Sequence, residues 1–141
     1  MNSTLVRSSV FAAAMLAFGT LTYAQSYDKV VADISFNFRS TSVDLPAGQY
    51  SIAAISTDGS HIFRLRNEDT KQAVLLMSQY EITGKPDEQP RLVFRCDSST
   101  CGLSEVWMGA NGYKMAKPKL TRSEGERIAV VLLKVVHKNS D

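Results

Sequence analysis

The chemistry that this sequence could perform begins with its two cysteines, Cys96 and Cys101, which are separated by four residues. That spacing differs from the C-x-x-C of thioredoxin-like redox pairs. A zinc site would need two further ligands, and the only histidines, His61 and His137, lack the local spacing of a zinc motif. In an oxidising compartment an even pair of cysteines is first interpreted as a disulfide, so we expect a Cys96–Cys101 disulfide.

The short motifs of catalysis and nucleotide binding are missing from the sequence. There is no G-x-S-x-G, H-E-x-x-H, EF-hand loop, P-loop or G-x-G-x-x-G. His61 lies beside a predicted turn and His137 near the C-terminus, which favours solvated positions over a Ser-His-Asp site. The 14 acidic residues leave a paired-carboxylate glycosidase open, but no pair can be named. The sequence therefore identifies no catalytic residue, cofactor-binding residue or metal ligand.

Glu105 is the one carboxylate that a predicted register places among apolar side chains. Residues 91–96 and 103–108 form a predicted hairpin around the polar tip 97–100. A disulfide between facing residues fixes the register of this hairpin, so that Leu92 faces Glu105. A buried carboxyl group has a raised pKa and can act as a general acid. The favoured alternative is that Glu105 lies at the margin of the sheet or pairs with an arginine.

A locally basic stretch follows the predicted hairpin and could contact a polyanion. Its basic residues are Lys114, Lys117, Lys119, Arg122 and Arg127, and Trp107 and Tyr113 lie nearby. Glu124 and Glu126 dilute the charge, which favours a solvated face. The two aromatic residues could stack on sugar rings, but packing in the core or at its rim is the favoured interpretation.

Short strands separated by turn signals predict an all-β fold, a single antiparallel sandwich or small barrel of about seven or eight strands. In residues 32–39 apolar side chains alternate strictly with polar ones, which is typical of a half-buried strand. The apolar run 128–136 predicts a buried last strand, and residues 117–126 suit either a short helix or a loop. The other predicted strands cover residues 50–54, 61–66, 72–82, 91–96 and 103–108, with turns at 46–48, 57–60, 67–70, 97–100 and 109–112.

Residues 1–24 have the three parts of a cleavable secretory signal peptide. Arg7 precedes an apolar run at 10–18, and small residues lead to a predicted cleavage between Ala24 and Gln25. The run is shorter than the roughly 20 apolar residues of a membrane-spanning helix. We therefore expect one periplasmic or secreted domain at 25–141, without a membrane span. The chain has 16 basic and 14 acidic residues and so gives no global attraction to nucleic acid.

Three segments taken together resemble a group of short bacterial β proteins that carry signal peptides and have no assigned function. The segments are Ala32-Asp33-Ile34-Ser35-Phe36-Asn37-Phe38, Leu45-Pro46-Ala47-Gly48-Gln49-Tyr50, and Leu92-Val93-Phe94 with Leu103-Ser104-Glu105-Val106-Trp107. The likeness covers roughly residues 30–117. It implies export and a β fold, and it implies no activity, cofactor or catalytic residue.

The interpretation that we favour is a non-enzymatic binding or structural module of the cell envelope, with a protein or a glycan as partner. Edge strands and the loops at 57–60, 84–90 and 97–100 are the expected contact surfaces. Two alternatives stay open: a carboxylate-based hydrolase, and a small barrel that carries an apolar ligand. The residues expected to line such a barrel are Phe36, Phe38, Tyr50, Phe63 and Phe94.

Overall fold

The computed structural model of the chain describes residues 29–55, 61–116 and 125–136. The predicted signal peptide, with its cleavage between Ala24 and Gln25, lies outside these residues. The predicted turn at 57–60 and most of the segment 117–126 also lie outside them. Among the described residues, no helical segment has the length and apolarity of a membrane span.

The described residues form eleven strands and no helix, which confirms the all-β prediction. In chain order the strands are β1 (Lys29–Ile34), β2 (Phe38–Ser40), β3 (Val43–Leu45), β4 (Gly48–Ala54), β5 (Ile62–Asn67), β6 (Ala73–Thr83), β7 (Arg91–Cys96), β8 (Cys101–Met108), β9 (Asn111–Met115), β10 (Arg127–Leu132) and β11 (Lys134–Val136). The eleven strands exceed the predicted seven or eight partly because two of the predicted strands are divided. Residues 32–39 break at 35–37, and residues 128–136 break at Leu133.

The strands form one open, mixed sheet. The pairing order is β10-β7-β8-β9-β6-β5-β4-β1-β11, and all neighbours along it are antiparallel. The short strands β2 and β3 pair with each other beside this path. β2 also runs parallel to β8, where Phe38 lies opposite Cys101. The break at 35–37 therefore takes the chain from β1 to a position beside the β7–β8 hairpin.

Two long segments of the chain each pair with strands on both sides of the core. In β6, residues 73–77 pair with β5 and residues 78–83 pair with β9, and the register shifts between Ser78 and Tyr80. At the C-terminal end, β10 pairs with β7 and β11 pairs with β1. Strands that change partners in this way make the corners of a two-layered β structure. The apolar faces of the two layers consequently meet in a common core.

Aromatic residues fill the centre of this core. The rings of Phe38 and Tyr50 pack edge to face with centroids 5.3 Å apart, and those of Phe38 and Phe94 pack in the same way at 5.2 Å. Phe36 packs on Phe94 at 5.1 Å, and Phe63 is buried. These five residues were expected to line the cavity of a carrier barrel. Instead, four of them pack on one another as in a solid core.

The β7–β8 hairpin has the predicted disulfide at its tip end. The sulfur atoms of Cys96 and Cys101 are bonded at 2.02 Å, and the two residues form the last pair of the ladder. The amide of Asp97 donates to the carbonyl oxygen of Thr100 at 2.9 Å and closes the tip. The hairpin and its turn at 97–100 are therefore confirmed.

A β-bulge interrupts the same hairpin at Ser104. Phe94 pairs with Leu103, whereas Val93 pairs with Glu105, so Ser104 is the extra residue on its strand. Its hydroxyl group donates to the carbonyl oxygen of Val93 at 3.1 Å. One extra residue moves every later side chain of the strand to the opposite face. The register predicted from the disulfide holds only as far as this bulge.

The connection at 109–112 is a hairpin, as predicted, but its Asn-Gly pair does not form the turn. The turn residues are Gly109, with φ at 77°, and Ala110, and β9 already begins at Asn111. A Cβ atom at Gly112 would lie 2.7 Å from the indole ring of Trp107. Gly112 is therefore needed for close packing against Trp107 rather than for a turn.

The prediction of a buried last strand at 128–136 is wrong in one respect: only one face of β10 is buried. Ala129 and Val131 pack against the core. The alternate side chains of β10 are more than half exposed, because no described element covers its outer face. These exposed side chains are Ile128, Val130 and Leu132.

Candidate functional site

The bulge changes the environment predicted for Glu105. Leu92 faces Val106, and Glu105 projects from the outer face of the sheet. Its carboxylate accepts hydrogen bonds from Nε1 of Trp107 at 2.7 Å and from Nζ of Lys114 at 2.5 Å. Burial raises the pKa of Glu105, but the hydrogen bonds and the nearby positive charges outweigh burial and hold the pKa below its usual value. Such a carboxylate is ionised at neutral pH, which does not suit a general acid.

Trp107 is held under a cover of neighbouring groups and is only 7% exposed. The guanidinium carbon of Arg91 lies 4.4 Å from the centre of its ring, in a cation–π contact. Arg91 in turn forms a salt bridge with Glu88 at 2.9 Å. A Cβ atom at Gly84 would lie 2.6 Å from the ring, so the loop that begins there is also in close contact. Trp107 therefore packs within the protein, and its ring faces are not free to stack on a sugar.

The loops expected to make contacts have structural partners of their own. The loop 84–90 packs against Trp107 at Gly84, and its Glu88 pairs with Arg91, which lies over the Trp107 ring. The tip 97–100 is closed by the disulfide and by Asp97. The carboxylate of Asp97 accepts hydrogen bonds from the amide groups of Ser99 and Thr100. These hydrogen bonds lower the pKa of Asp97. The predicted loop at 57–60 lies outside the described residues.

Within the described part, His61 and the two described residues of the predicted basic stretch, Lys114 and Arg127, do not assemble a catalytic or polyanion site. His61 lies against the ring of Tyr113 and 3.3 Å from the carboxylate of Glu81. Lys114 is the ion-pair partner of Glu105, and Arg127 begins β10. His137 and the basic residues at 117–122 lie outside the described part. No group of three or more His, Cys, Asp or Glu side chains among the described residues is placed to hold a metal ion.

The most unusual surface is formed by the first half of β6. Leu75 and Met77 project outward from this strand and are 61% and 69% exposed. Leu76, between them, is buried in the core. Val43, on β3, is a further exposed apolar residue beside them. Large side chains that remain exposed together mark a contact surface more often than singly exposed ones do.

A cleft of about 540 Å³ lies between this part of β6 and the β2–β3 hairpin. Its walls are residues 40–43 on one side and Val74, Leu75, Met77, Ser78 and Gln79 on the other, with Ala116 beside them. The volume falls within the range of about 300–1,000 Å³ found for ligand clefts. In the described part of the chain, residues 73–77 pair with β5 on one side only. The other edge of residues 73–77 therefore forms one wall of the cleft.

Two arginines flank the exposed apolar residues. Arg64 and Arg66 are exposed on β5, and Arg64 lies directly opposite Leu75. The other direct neighbours of the two arginines across the sheet are Ser51, Ala53 and Ala73, none of which is acidic. We call Val43, Arg64, Arg66, Leu75 and Met77, with the cleft beside them, the β6 surface.

The β6 surface was missed in the sequence, although one signal for it is present. Residues 73–77 are a continuous apolar run, and such a run suits a strand that is covered on both faces. Neighbouring β5, however, alternates apolar residues with Arg64 and Arg66, which predicts a solvated outer face. A strand paired with β5 must share that face, so Leu75 and Met77 had to be exposed.

Comparison with known proteins gives no match: no family model, no curated protein and no solved structure is significantly similar to this chain. The resemblance to short exported β proteins therefore stays a prediction. The candidate site rests on the geometry of the described residues alone.

Proposed function

We propose that this chain is an exported, non-enzymatic β domain that binds a partner protein of the cell envelope through the β6 surface. The observation that carries the proposal is the exposure of Leu75 and Met77 beside a cleft on a strand edge. An extended segment of a partner can add to such an edge with main-chain hydrogen bonds, while the cleft receives alternate side chains.

Export is supported by the pattern of residues 1–24 and by the Cys96–Cys101 disulfide. Disulfides persist in oxidising compartments and are rare in the cytosol. A periplasmic or secreted location gives the β6 surface access to envelope proteins and to their exposed segments.

The exposed stripe on β10 is a weaker candidate for the partner contact. Arg95, which lies across the sheet from Ile128, already forms a salt bridge with Glu126 at 3.0 Å. Arg91, which lies across from Leu132, is paired with Glu88. Both arginines beside the β10 stripe are therefore paired within the protein. Ile128 on this stripe provides a matched control for the β6 surface.

The test is a comparison of capture by three immobilised proteins: the mature domain, Met77→Glu and Ile128→Glu. Met77 and Ile128 are 69% and 66% exposed, so neither change buries a charge in the free domain. Envelope extract of the producing organism is passed over each, and retained proteins are identified by mass spectrometry. We expect a protein that the wild type and Ile128→Glu retain and that Met77→Glu loses. Equal capture by all three proteins, or loss only with Ile128→Glu, would overturn the proposal.

A further inference from the structure

The two arginines of the β6 surface point to the chemistry of the partner segment. Resting on the proposed function, we infer that the segment alternates apolar with acidic residues, and that Arg64 and Arg66 bind its carboxylates. The acidic side chains would lie on the outer face of the sheet, where their methylene groups pass over Leu75. The apolar side chains would enter the cleft on the side of Val74.

Arg64 and Arg66 differ from Arg39, Arg91 and Arg95 in having no carboxylate partner within the described residues. Arg39 lies 2.7 Å from Asp44, and Arg91 and Arg95 have glutamate partners at 2.9 and 3.0 Å. No salt bridge to Arg64 or Arg66 occurs within the described residues, and their direct neighbours across the sheet are neutral. Among the described residues, this small area of the surface therefore has positive charge without an ion-pair partner, beside exposed apolar groups.

The spacing of the two arginines suits an extended segment. Arg64 and Arg66 are two residues apart on one strand, so they project from the same face about 6.6 Å apart. Alternate residues of an added strand have the same repeat. A strand beside β6 would lie two strand spacings from β5, about 9.6 Å, with Leu75 in between. A long arginine and a glutamate side chain can approach each other over that residue.

A guanidinium group is suited to this contact because its planar donors match both oxygens of a carboxylate. A phosphate group has the same property, so an anionic membrane is the competing occupant. The concave cleft along a strand edge favours an extended peptide, because a bilayer surface is flat and cannot enter it. We therefore assign the acidic groups to a polypeptide.

The test measures binding of fluorescein-labelled peptides to the mature domain by anisotropy. The probes are a peptide of alternating valine and glutamate and its counterparts with glutamine or lysine in place of glutamate. We expect the glutamate peptide to bind about tenfold more tightly than the glutamine peptide, and the lysine peptide to bind most weakly. High salt should remove most of the difference between glutamate and glutamine.

Variants separate this inference from the proposal that it rests on. The double variant Arg64→Gln, Arg66→Gln should bind the glutamate and glutamine peptides equally. The double variant Arg64→Lys, Arg66→Lys should prefer the glutamate peptide, but by less than the wild type does. Met77→Glu should weaken binding of the glutamate and glutamine peptides, whereas Ile128→Glu should change neither. Circular dichroism and thermal unfolding of each variant show whether it has folded.

Each other outcome contradicts a defined part of the account. Equal binding of the glutamate and glutamine peptides by the wild type would overturn the acidic preference and leave the peptide surface in place. No binding of any peptide would overturn both. Sedimentation with vesicles of phosphatidylcholine and phosphatidylglycerol that depends on Arg64 and Arg66, without peptide binding, would assign the acidic group to a lipid and overturn the inference.

Discussion

Glu105 connects two strands at the outer face of the sheet, and its role there is structural. Its carboxylate on β8 accepts hydrogen bonds from Trp107 and from Lys114 on β9. Trp107 in turn supports Arg91 on β7. An acid that must donate a proton needs a raised pKa, and the contacts of Glu105 lower it.

We expect Glu105→Gln to lower the free energy of unfolding by about 1–2 kcal/mol at pH 7, because the charge-assisted bond to Lys114 is lost. The measurement is urea unfolding followed by Trp107 fluorescence. Asp44→Asn is the matched control, since Asp44 is 70% exposed in its pair with Arg39. It should cost less than about 0.5 kcal/mol. Equal effects of the two substitutions would contradict the structural role of Glu105.

Asp97 makes the stability of the hairpin tip depend on pH. Amide groups of Ser99 and Thr100 donate to its carboxylate and lower its pKa in the folded protein. A lowered folded-state pKa stabilises the protein above the unfolded-state value, 3.8, and this contribution is lost as the pH falls through the lower folded-state value. Asp97→Asn cannot titrate, so its melting temperature should fall less steeply with acid below about pH 4 than that of the wild type. Parallel curves for the two proteins would exclude this contribution.

At the scale of elements, the β7–β8 hairpin combines a disulfide, a polar tip and a bulge. The disulfide and the tip could be predicted, because cysteine spacing and turn residues are local signals. The bulge at Ser104 could not, because nothing in the alternation of β8 shows that two of its residues face one residue of β7. That single residue decides whether Glu105 points into the core or out of it.

We expect Cys96→Ser with Cys101→Ser to lower the free energy of unfolding by about 2 kcal/mol, because a short loop is no longer closed in the unfolded chain. Urea unfolding with and without dithiothreitol gives the measurement. The reductant should bring the wild type to the stability of the double variant and should leave the double variant unchanged. If oxidised and reduced wild type unfold at the same urea concentration, the disulfide does not stabilise the fold.

The two strands that change partners explain why burial was harder to predict than strand position. The apolar run 128–136 predicted a buried last strand, and the run 73–77 is equally apolar although no burial was predicted for it. In the structure each has one covered face, which leaves Leu75, Met77 and Ile128 exposed. Period-two patterns indicate which residues share a face, but only the packing of the layers decides which faces are covered.

At the scale of the whole molecule, the all-β class and most strand positions could be predicted from alternation and turn residues. The β2–β8 parallel pair and the cleft beside β6 could not, because both depend on where distant segments meet. The β6 surface combines Val43 with residues of β5 and β6, and no local motif connects these segments.

Export is a property of the whole chain, and processing of the leader tests it. We expect the protein in the producing cells to begin at Gln25 and to occur in the periplasmic or secreted fraction, because residues 1–24 have the pattern of a cleaved leader. Intact-mass analysis of the purified protein gives the N-terminus and the state of both thiols. A full-length chain with free thiols in the cytosolic fraction would contradict export.

Photo-crosslinking in the producing cells shows whether the β6 surface contacts a partner protein. Benzoylphenylalanine is placed at Met77 in one strain and at the equally exposed Ile128 in another. We expect a discrete adduct with another protein from position 77 and none from position 128. An adduct from position 128 alone, or none from position 77, would contradict the proposed contact.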